Sequence, residues 1–329
     1  MPLKTADVVR TLADVGTVRG AARELGVDPA TIRWHLRRSQ ERPSSFTPKP
    51  LPEKGLSGMA LIDAKCRQFE SLQRHEKAKK WREVAVNIDG PVCLACVGDP
   101  HVDDDGCNWP LLREHIGLLN EPGMLPINIG DSSNNWVGRL ARLYAKQETT
   151  EEQAWDLVET FISSVPWLCV LLGNHDMWSG SGSPIKWMVD KKSTISEAWK
   201  ADFELVFRKS RVRVSTAHDF KGNSMWNNTH GPLRAAMMGG EADIMLCGHT
   251  HSFGSQIIEH NGRLVHIARA RGYKRYDEYA VVNGFNGGDY GATVCYLIDP
   301  DAPIESRFVF VPSLRKAAEL LRMIRASKR

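Results

Sequence analysis

The chain has 329 residues, of which 42% are hydrophobic and 25% are charged, and its formal net charge is +4. This composition is typical of a globular protein of about two domains and excludes a disordered or fibrous chain. The seven scattered cysteines, together with the lack of a signal-peptide core or a roughly 18-residue apolar run, predict a cytoplasmic protein with no membrane partner.

Residues 1–41 are helix-patterned and rich in arginine, with the spacing of three short helices over residues 5–38. We expect Thr5 to cap the first helix, and Asp28 and Pro29 to begin the third, because Asp is a favoured cap and Pro is tolerated in a first turn. Residues 21–32 resemble the helix-turn-helix of DNA-binding proteins. The third helix would then present five side chains to the groove and phosphates of DNA: Thr31, Arg33, Trp34, Arg37 and Arg38. The alternative is a small helical module for packing or dimerisation.

Residues 42–55 contain four prolines and few apolar residues, a composition that predicts a stiff linker without a core. They separate the helix-turn-helix domain, residues 1–41, from a third region, residues 56–329. This region alternates short apolar runs, turn clusters and helical patterns, beginning with a charged helix predicted over Cys66–Val84. The alternation indicates an α/β fold.

Four apolar runs of this region each end in a polar cluster that begins at or near a glycine. The runs are Val92–Val97, Leu125–Ile129, Trp167–Leu172 and Ile244–Cys247. Continuous apolar runs of this length are typical of strands that are covered on both faces. Because ligands collect beyond the carboxyl ends of such strands, we expect all four to deliver Asp, Asn or His side chains to one edge.

The residue types at these strand ends are oxygen and imidazole ligands for a divalent ion such as Mn, Fe or Zn. Asp99 and His101 are alternate residues of an extended chain, as are His249 and His251, so each pair can point at one ion. Asp131 could bridge two ions through its two carboxylate oxygens. Asn174 adds a neutral carbonyl oxygen.

In this order the clusters resemble the motifs of the calcineurin-like metallophosphoesterase superfamily over residues 85–300. The matching stretches are Gly98-Asp99-Pro100-His101, Gly130-Asp131, Gly173-Asn174-His175-Asp176 and Gly248-His249-Thr250-His251. The resemblance implies a four-layer α/β/β/α sandwich with two metal ions. One ion would be held by Asp99, His101, Asp131 and His251, and the other by Asp131, Asn174, a further histidine and His249. It also implies that His175 is the acid for the leaving group, oriented by a neighbouring carboxylate such as Asp176.

Two histidines compete for the remaining ligand position. His218 follows the strand-like stretch Arg211–Thr216, whereas His230 follows a Gly, Asn and Ser-rich stretch that does not read as a strand. We therefore predict His218 as the metal ligand. His230 is then a phosphate contact, or only the residue that begins a helix over Pro232–Met238.

These features predict a phosphoesterase that depends on two divalent ions, with Mn favoured, fused to a DNA-binding module. The pairing points to nucleic acid, most simply DNA, as the substrate of a phosphodiesterase or nuclease-like reaction, and it resembles proteins of phages and their bacterial hosts, which would place it in the host cytoplasm. One alternative is a phosphomonoesterase or protein phosphatase docked by its N-terminal module. Another is a DNA-binding regulator with a vestigial metal site. The oligomeric state stays open.

Overall fold

The computed structural model describes residues 3–40, 55–137, 141–144, 147–177, 184–190, 194–275 and 291–327. The chain divides into two compact units, Met1–Arg67 and Gln68–Arg329, and the division falls within a single helix. The predicted linker, residues 42–55, lies outside the described residues except for Gly55. The predicted domain bounds stay predictions. No described helix has the length and apolar composition needed to cross a membrane.

The first unit contains the three helices that the sequence predicts. They are α1 (Thr5–Val15), α2 (Val18–Glu24) and α3 (Pro29–Gln40). Val8, Ala22 and Ile32 form the small core between them. Asp28 caps α3 as expected, because its Oδ1 accepts a hydrogen bond from the Ala30 amide at 2.6 Å.

The predicted cap at Thr5 is wrong. The residue before α1 is Lys4, which makes no side-chain cap, and Thr5 is already helical. The Thr5 hydroxyl lies 2.9 Å from His35 Nδ1 on α3, so it joins two helices of the unit instead of capping one.

Within the described residues, twelve strands form two six-stranded sheets. The strands are β1 (Arg82–Ala85), β2 (Val92–Val97), β3 (Met124–Asn128), β4 (Cys169–Leu172), β5 (Ile195–Ala198), β6 (Lys200–Val206), β7 (Arg211–Ala217), β8 (Ile244–Cys247), β9 (Gly254–His260), β10 (Arg263–Arg269), β11 (Thr293–Ile298) and β12 (Phe308–Val311). Sheet A has the order β1-β6-β7-β8-β10-β9, and sheet B has the order β12-β11-β2-β3-β4-β5. The strands β2, β3, β4 and β5 run parallel to one another.

The remaining helices are α4 (Gly58–Lys79), α5 (Trp109–Leu119), α6 (Ala141–Tyr144), α7 (Glu151–Ser164), α8 (Pro184–Asp190), α9 (His230–Met237) and α10 (Leu314–Ser327). The helix predicted over Cys66–Val84 is therefore wrong at its end. Trp81 has φ 55°, and the chain continues into β1, which pairs parallel with β6. Pairing with a distant strand outweighs the local helical pattern here.

The second unit has the predicted four-layer α/β/β/α architecture. A buried cluster between the sheets joins Leu94 of sheet B with Phe203 of sheet A. A second cluster joins the outer face of sheet B to Leu112 of α5, Val158 of α7 and other helical residues, including several from α10. A third cluster joins sheet A to α9. Helices thus cover the outer face of each sheet.

Candidate metal centre

The four strands that were expected to share one edge belong to both sheets. β2, β3 and β4 lie side by side in sheet B, but β8 lies in sheet A. The loops after these strands nevertheless converge, because the two sheets pack face to face. The candidate site therefore bridges the sheets, which the expectation of a single sheet edge did not include.

Asp131, in the loop after β3, lies among the ligand-type side chains. It is 2% exposed and has φ 50°. Its Oδ2 atom lies 3.2 Å from His218 Nε2 and 3.8 Å from His175 Nε2, and its Oδ1 accepts a hydrogen bond from the His175 amide at 2.9 Å. One carboxylate thus contacts both the loop after β4 and the residue directly after β7.

His218, directly after β7, is fully buried and forms one focus of the site. Its Nδ1 donates to the Ile129 carbonyl oxygen at 2.9 Å, which directs Nε2 towards the other candidate ligands. Nε2 lies 3.0 Å from Asn174 Oδ1 and 3.0 Å from His249 Nδ1. Together with Asp131, these four side chains place two oxygens and two imidazole nitrogens around one point. Even without Asn174, the ligand atoms of Asp131, His218 and His249 lie close enough together to hold one metal ion.

A second focus consists of Asp99, His101 and His251. The ring atoms His101 Nε2 and His251 Nε2 face each other at 3.3 Å, and His251 Nε2 lies 3.8 Å from Asp99 Oδ2. Asp99 Oδ2 also accepts a hydrogen bond from the His249 amide at 2.7 Å, and Asp99 Oδ1 lies 3.5 Å from His218 Nδ1. Asp99 therefore joins the two foci.

Burial and neighbouring charge shift the protonation of this cluster. Burial, reinforced by the charge of Asp131, raises the pKa of Asp99 to about 7, and the same two causes raise the pKa of Asp176 to about 8. Burial also lowers the pKa of His251 to about 3. At His218, burial lowers the pKa, but the hydrogen bond to Asp131 and the charges of Asp99 and Asp131 outweigh it and raise the pKa to about 9.

These observations test whether the residues fit two divalent ions. Asp99, Asp131 and Asp176 are all buried, and Asp99 Oδ1 has no hydrogen-bond partner among the described residues. Buried anionic groups without sufficient cations are costly, and divalent ions bound by carboxylate and imidazole ligands remove that cost. Asp131, His218 and His249 therefore fit one divalent ion, and the second ion with its ligands stays a prediction.

The surroundings of His175 differ from the expectation that Asp176 orients it. His175 Nδ1 donates to the Asn134 carbonyl oxygen at 2.9 Å. Asp176 instead accepts hydrogen bonds from the amides of Ser132 at 3.0 Å and Gly173 at 2.9 Å. The group that orients the imidazole is thus a backbone carbonyl. Asp176 instead joins the loop after β3 to the loop after β4 by hydrogen bonds.

The remaining predicted residues are His230 and five residues of α3. His230 is the first residue of α9, and its amide donates to the Asn227 carbonyl oxygen at 3.1 Å. In the N-terminal unit, α3 exposes Arg33, Trp34, Arg37 and Arg38, while Thr31 is half-buried. The Arg38 guanidinium lies 5.0 Å from the centre of the Trp34 ring. The predicted roles of these residues stay predictions.

Sequence reasoning missed Lys274, Asp103 and Asp104. Lys274 Nζ lies 2.8 Å from Asn134 Oδ1 and 2.9 Å from Asp104 Oδ2. Asp103 accepts hydrogen bonds from the amides of Asn134, at 2.6 Å, and Asn135, at 3.2 Å. The aspartates follow the first motif directly, which is a weak signal, but no pattern marks Lys274. It brings a nearly buried positive charge to the site.

No protein-family model matches the sequence, and no curated protein matches it significantly. Vacuolar Protein Sorting 29 from Cryptosporidium parvum is similar in structure at 14% identity, over 68% of this chain and 98% of that chain, with a TM-score of 0.39. A zinc complex of Vps29 from Entamoeba histolytica matches at 13% identity, over 64% and 88% of the two chains, with a TM-score of 0.35. SoxB from Thermus thermophilus, a sulfate thiohydrolase in complex with glycerol, matches at 8% identity, over 74% and 61%, with a TM-score of 0.35.

Proposed function

We propose that this chain is a phosphoesterase that depends on two divalent ions and hydrolyses phosphodiester bonds, with nucleic acid as its substrate. The observation that supports it most is the convergence of Asp131, Asn174 and His249 on His218 Nε2, beside the group formed by Asp99, His101 and His251. The oxygen and imidazole ligands of the site suit Mn, Fe or Zn, and Mn is the ion that we favour.

When bound, the two ions would polarise a phosphate ester and lower the pKa of a water molecule near it. His218 would hold an ion through the unprotonated Nε2 of a neutral imidazole, since a metal ligand must be deprotonated. Lys274 would add positive charge towards a phosphate group. His175 Nε2, directed by the bond from Nδ1 to the Asn134 carbonyl, would hold the proton for the leaving oxygen.

The nucleic-acid part of the proposal rests on the N-terminal unit. Helix α3 presents Arg33, Arg37 and Arg38 on an exposed surface, and basic side chains on such a helix suit contact with phosphates. A module that binds DNA, attached to a phosphoesterase, would hold the enzyme on a polymeric substrate. This arrangement also fits a protein of the cytoplasm.

The test of catalysis compares bis-p-nitrophenyl phosphate with p-nitrophenyl phosphate in the presence of Mn²⁺. We expect the diester to be preferred, and we expect Asp131→Asn to lower kcat/KM by at least about 100-fold, because the carboxylate beside His218 Nε2 is lost. Asp301→Asn, at a half-exposed surface ion pair, is the matched control. A preference for the monoester would instead indicate a phosphomonoesterase. A protein that takes up no Mn²⁺ would indicate a DNA-binding regulator.

The test of DNA binding measures the affinity of the full chain for a labelled duplex at several salt concentrations. We expect Arg33→Ala and Arg37→Ala each to weaken binding and to reduce the slope of log affinity against log salt by about 1. Arg208→Ala changes an exposed arginine outside the N-terminal unit and serves as the control. Equal binding by all three variants would contradict a role for α3.

A further inference from the structure

A cavity of about 290 Å³ lies beside the candidate metal centre and is not explained by metal binding. Three aromatic residues, Trp136, Tyr144 and Trp155, line it together with apolar residues of α7. Its polar lining comes from Asp103, Ser133 and Asn135, in the two loops that carry Asp99 and Asp131, and from Glu151 of α7. This volume is at the lower bound for small-molecule sites, so it suits one ring system and not a long chain.

Two polar atoms of the lining have no hydrogen-bond partner among the described residues, although both are buried. They are Ser133 Oγ and Trp136 Nε1, and Ser133 is only 3% exposed. Buried polar groups are nearly always paired, so each such atom calls for an explanation. Both can donate a hydrogen bond, and both belong to side chains that line the same cavity.

We propose that this cavity binds a nucleobase of the phosphoester substrate. That the base belongs to a substrate rests on the function proposed above, whereas binding of a base by the cavity does not. The aromatic side chains offer stacking surfaces, and the two unpaired donors call for acceptor atoms, which every nucleobase carries as ring nitrogens or carbonyl oxygens. A quaternary ammonium group would also suit aromatic walls, but it has no acceptor for Ser133 and Trp136.

The position of the cavity fits a base joined to a phosphate at the metal centre. Ser133 is two residues from Asp131, so their Cα atoms are at most about 7 Å apart. The Ser133 amide also lies 3.4 Å from Asp176 Oδ1, and Asn135 Nδ2 donates to the His175 carbonyl oxygen at 3.1 Å. The wall of the cavity is therefore hydrogen-bonded to the loops of the metal centre. A base in the cavity and a phosphate at the metal centre are close enough to belong to one nucleotide.

The binding test titrates the full chain with each common nucleoside and with phosphocholine, in Mn²⁺ and in chelator, by calorimetry. We expect at least one nucleoside to bind under both conditions. Ser133→Ala removes one donor and nearly keeps the shape, and Trp136→Phe removes the other donor together with part of the ring surface, so each should weaken binding about 5- to 10-fold. Trp226→Phe, at a tryptophan that is 93% exposed, is the matched control and should leave affinity unchanged.

A catalytic test separates this assignment from the proposed function. The two cavity variants should raise KM for a nucleoside 5′-p-nitrophenyl phosphate about 5- to 10-fold more than they raise KM for bis-p-nitrophenyl phosphate. Hydrolysis of the latter without nucleoside binding would overturn the base site alone, whereas nucleoside binding without any phosphoester hydrolysis would overturn the proposed function alone. Phosphocholine binding in place of nucleosides, or equal nucleoside affinity in all variants, would also overturn the base site.

Discussion

Replacing Gly173 by alanine is expected to disable the candidate metal centre by moving one ligand. Gly173 follows β4, and its φ is not in the left-handed region, so only space restricts a side chain there. A Cβ at this position would lie 2.6 Å from the Asp131 amide nitrogen and 2.8 Å from Asp131 Cγ, and closer still to Oδ1. Because one of these atoms is backbone, a rotation of the Asp131 side chain cannot relieve the clash.

The required movement can be worked out from the contact distances. Restoring an ordinary contact of about 3.4 Å to the amide nitrogen displaces Asp131 by about 0.8 Å. Misplacement of a reacting group by about 1 Å costs on the order of 100-fold in rate, and crowding in a packed site costs about 1–3 kcal/mol of unfolding free energy. We therefore expect Gly173→Ala to lower kcat/KM about 100-fold and to weaken Mn²⁺ binding in calorimetry.

Gly117→Ala is the matched control. Gly117 lies within α5 and has an ordinary φ, and a Cβ there would meet no atom within 4 Å outside the backbone of its own helix. Alanine favours a helix over glycine, so this variant should be as active as the original and slightly more stable. If Gly173→Ala bound Mn²⁺ and turned over substrate as well as Gly117→Ala does, Asp131 would not be the ligand around which the site is organised.

Two further predictions concern histidines. His175→Asn should lower kcat more for an alkyl phosphodiester than for a nitrophenyl one, since a poor leaving group needs the proton at Nε2; equal losses for both esters would argue against proton donation. His115 is 3% exposed, and burial lowers its pKa to about 4. The unfolded chain takes up this proton near pH 6.5, so the free energy of unfolding should fall by about 3 kcal/mol as the pH drops from 6.5 to 4. In urea titrations, the free energy of unfolding of His115→Gln should not show this fall with pH. The same pH dependence in the variant as in the original protein would refute the assignment to His115.

The strands that carry the candidate site could be predicted from sequence because each is a local feature. β2 and β8 have the predicted bounds, and β3 and β4 differ by one or two residues at their ends. The sheet to which a strand belongs depends on pairing with distant residues. β8 pairs with β7 and β10, and nothing within its four residues indicates that.

Lys274, which sequence reasoning missed, reaches the site from a distant loop. Lys274 is separated from its partner Asn134 by 140 positions, and it follows β10 without any recognisable motif. The partner of His175 could not be foreseen for another reason. Asp176 is adjacent in sequence and is a carboxylate, but neighbouring side chains of a turn point apart, and a backbone carbonyl carries no sequence signal.

Backbone strain connects the candidate ligands with the stability of their loops. Five of the seven lie at positive φ: Asp99, His101, Asp131, His249 and His251. Such conformations cost on the order of 1 kcal/mol each and persist where surrounding contacts hold them. Here the ligands themselves supply contacts, since Asp99 accepts the His249 amide hydrogen and the Asp131 carbonyl accepts that of His101. Strain and buried charge both oppose folding of the metal-free site, so the free energy of binding divalent ions would also stabilise the loops that bind them.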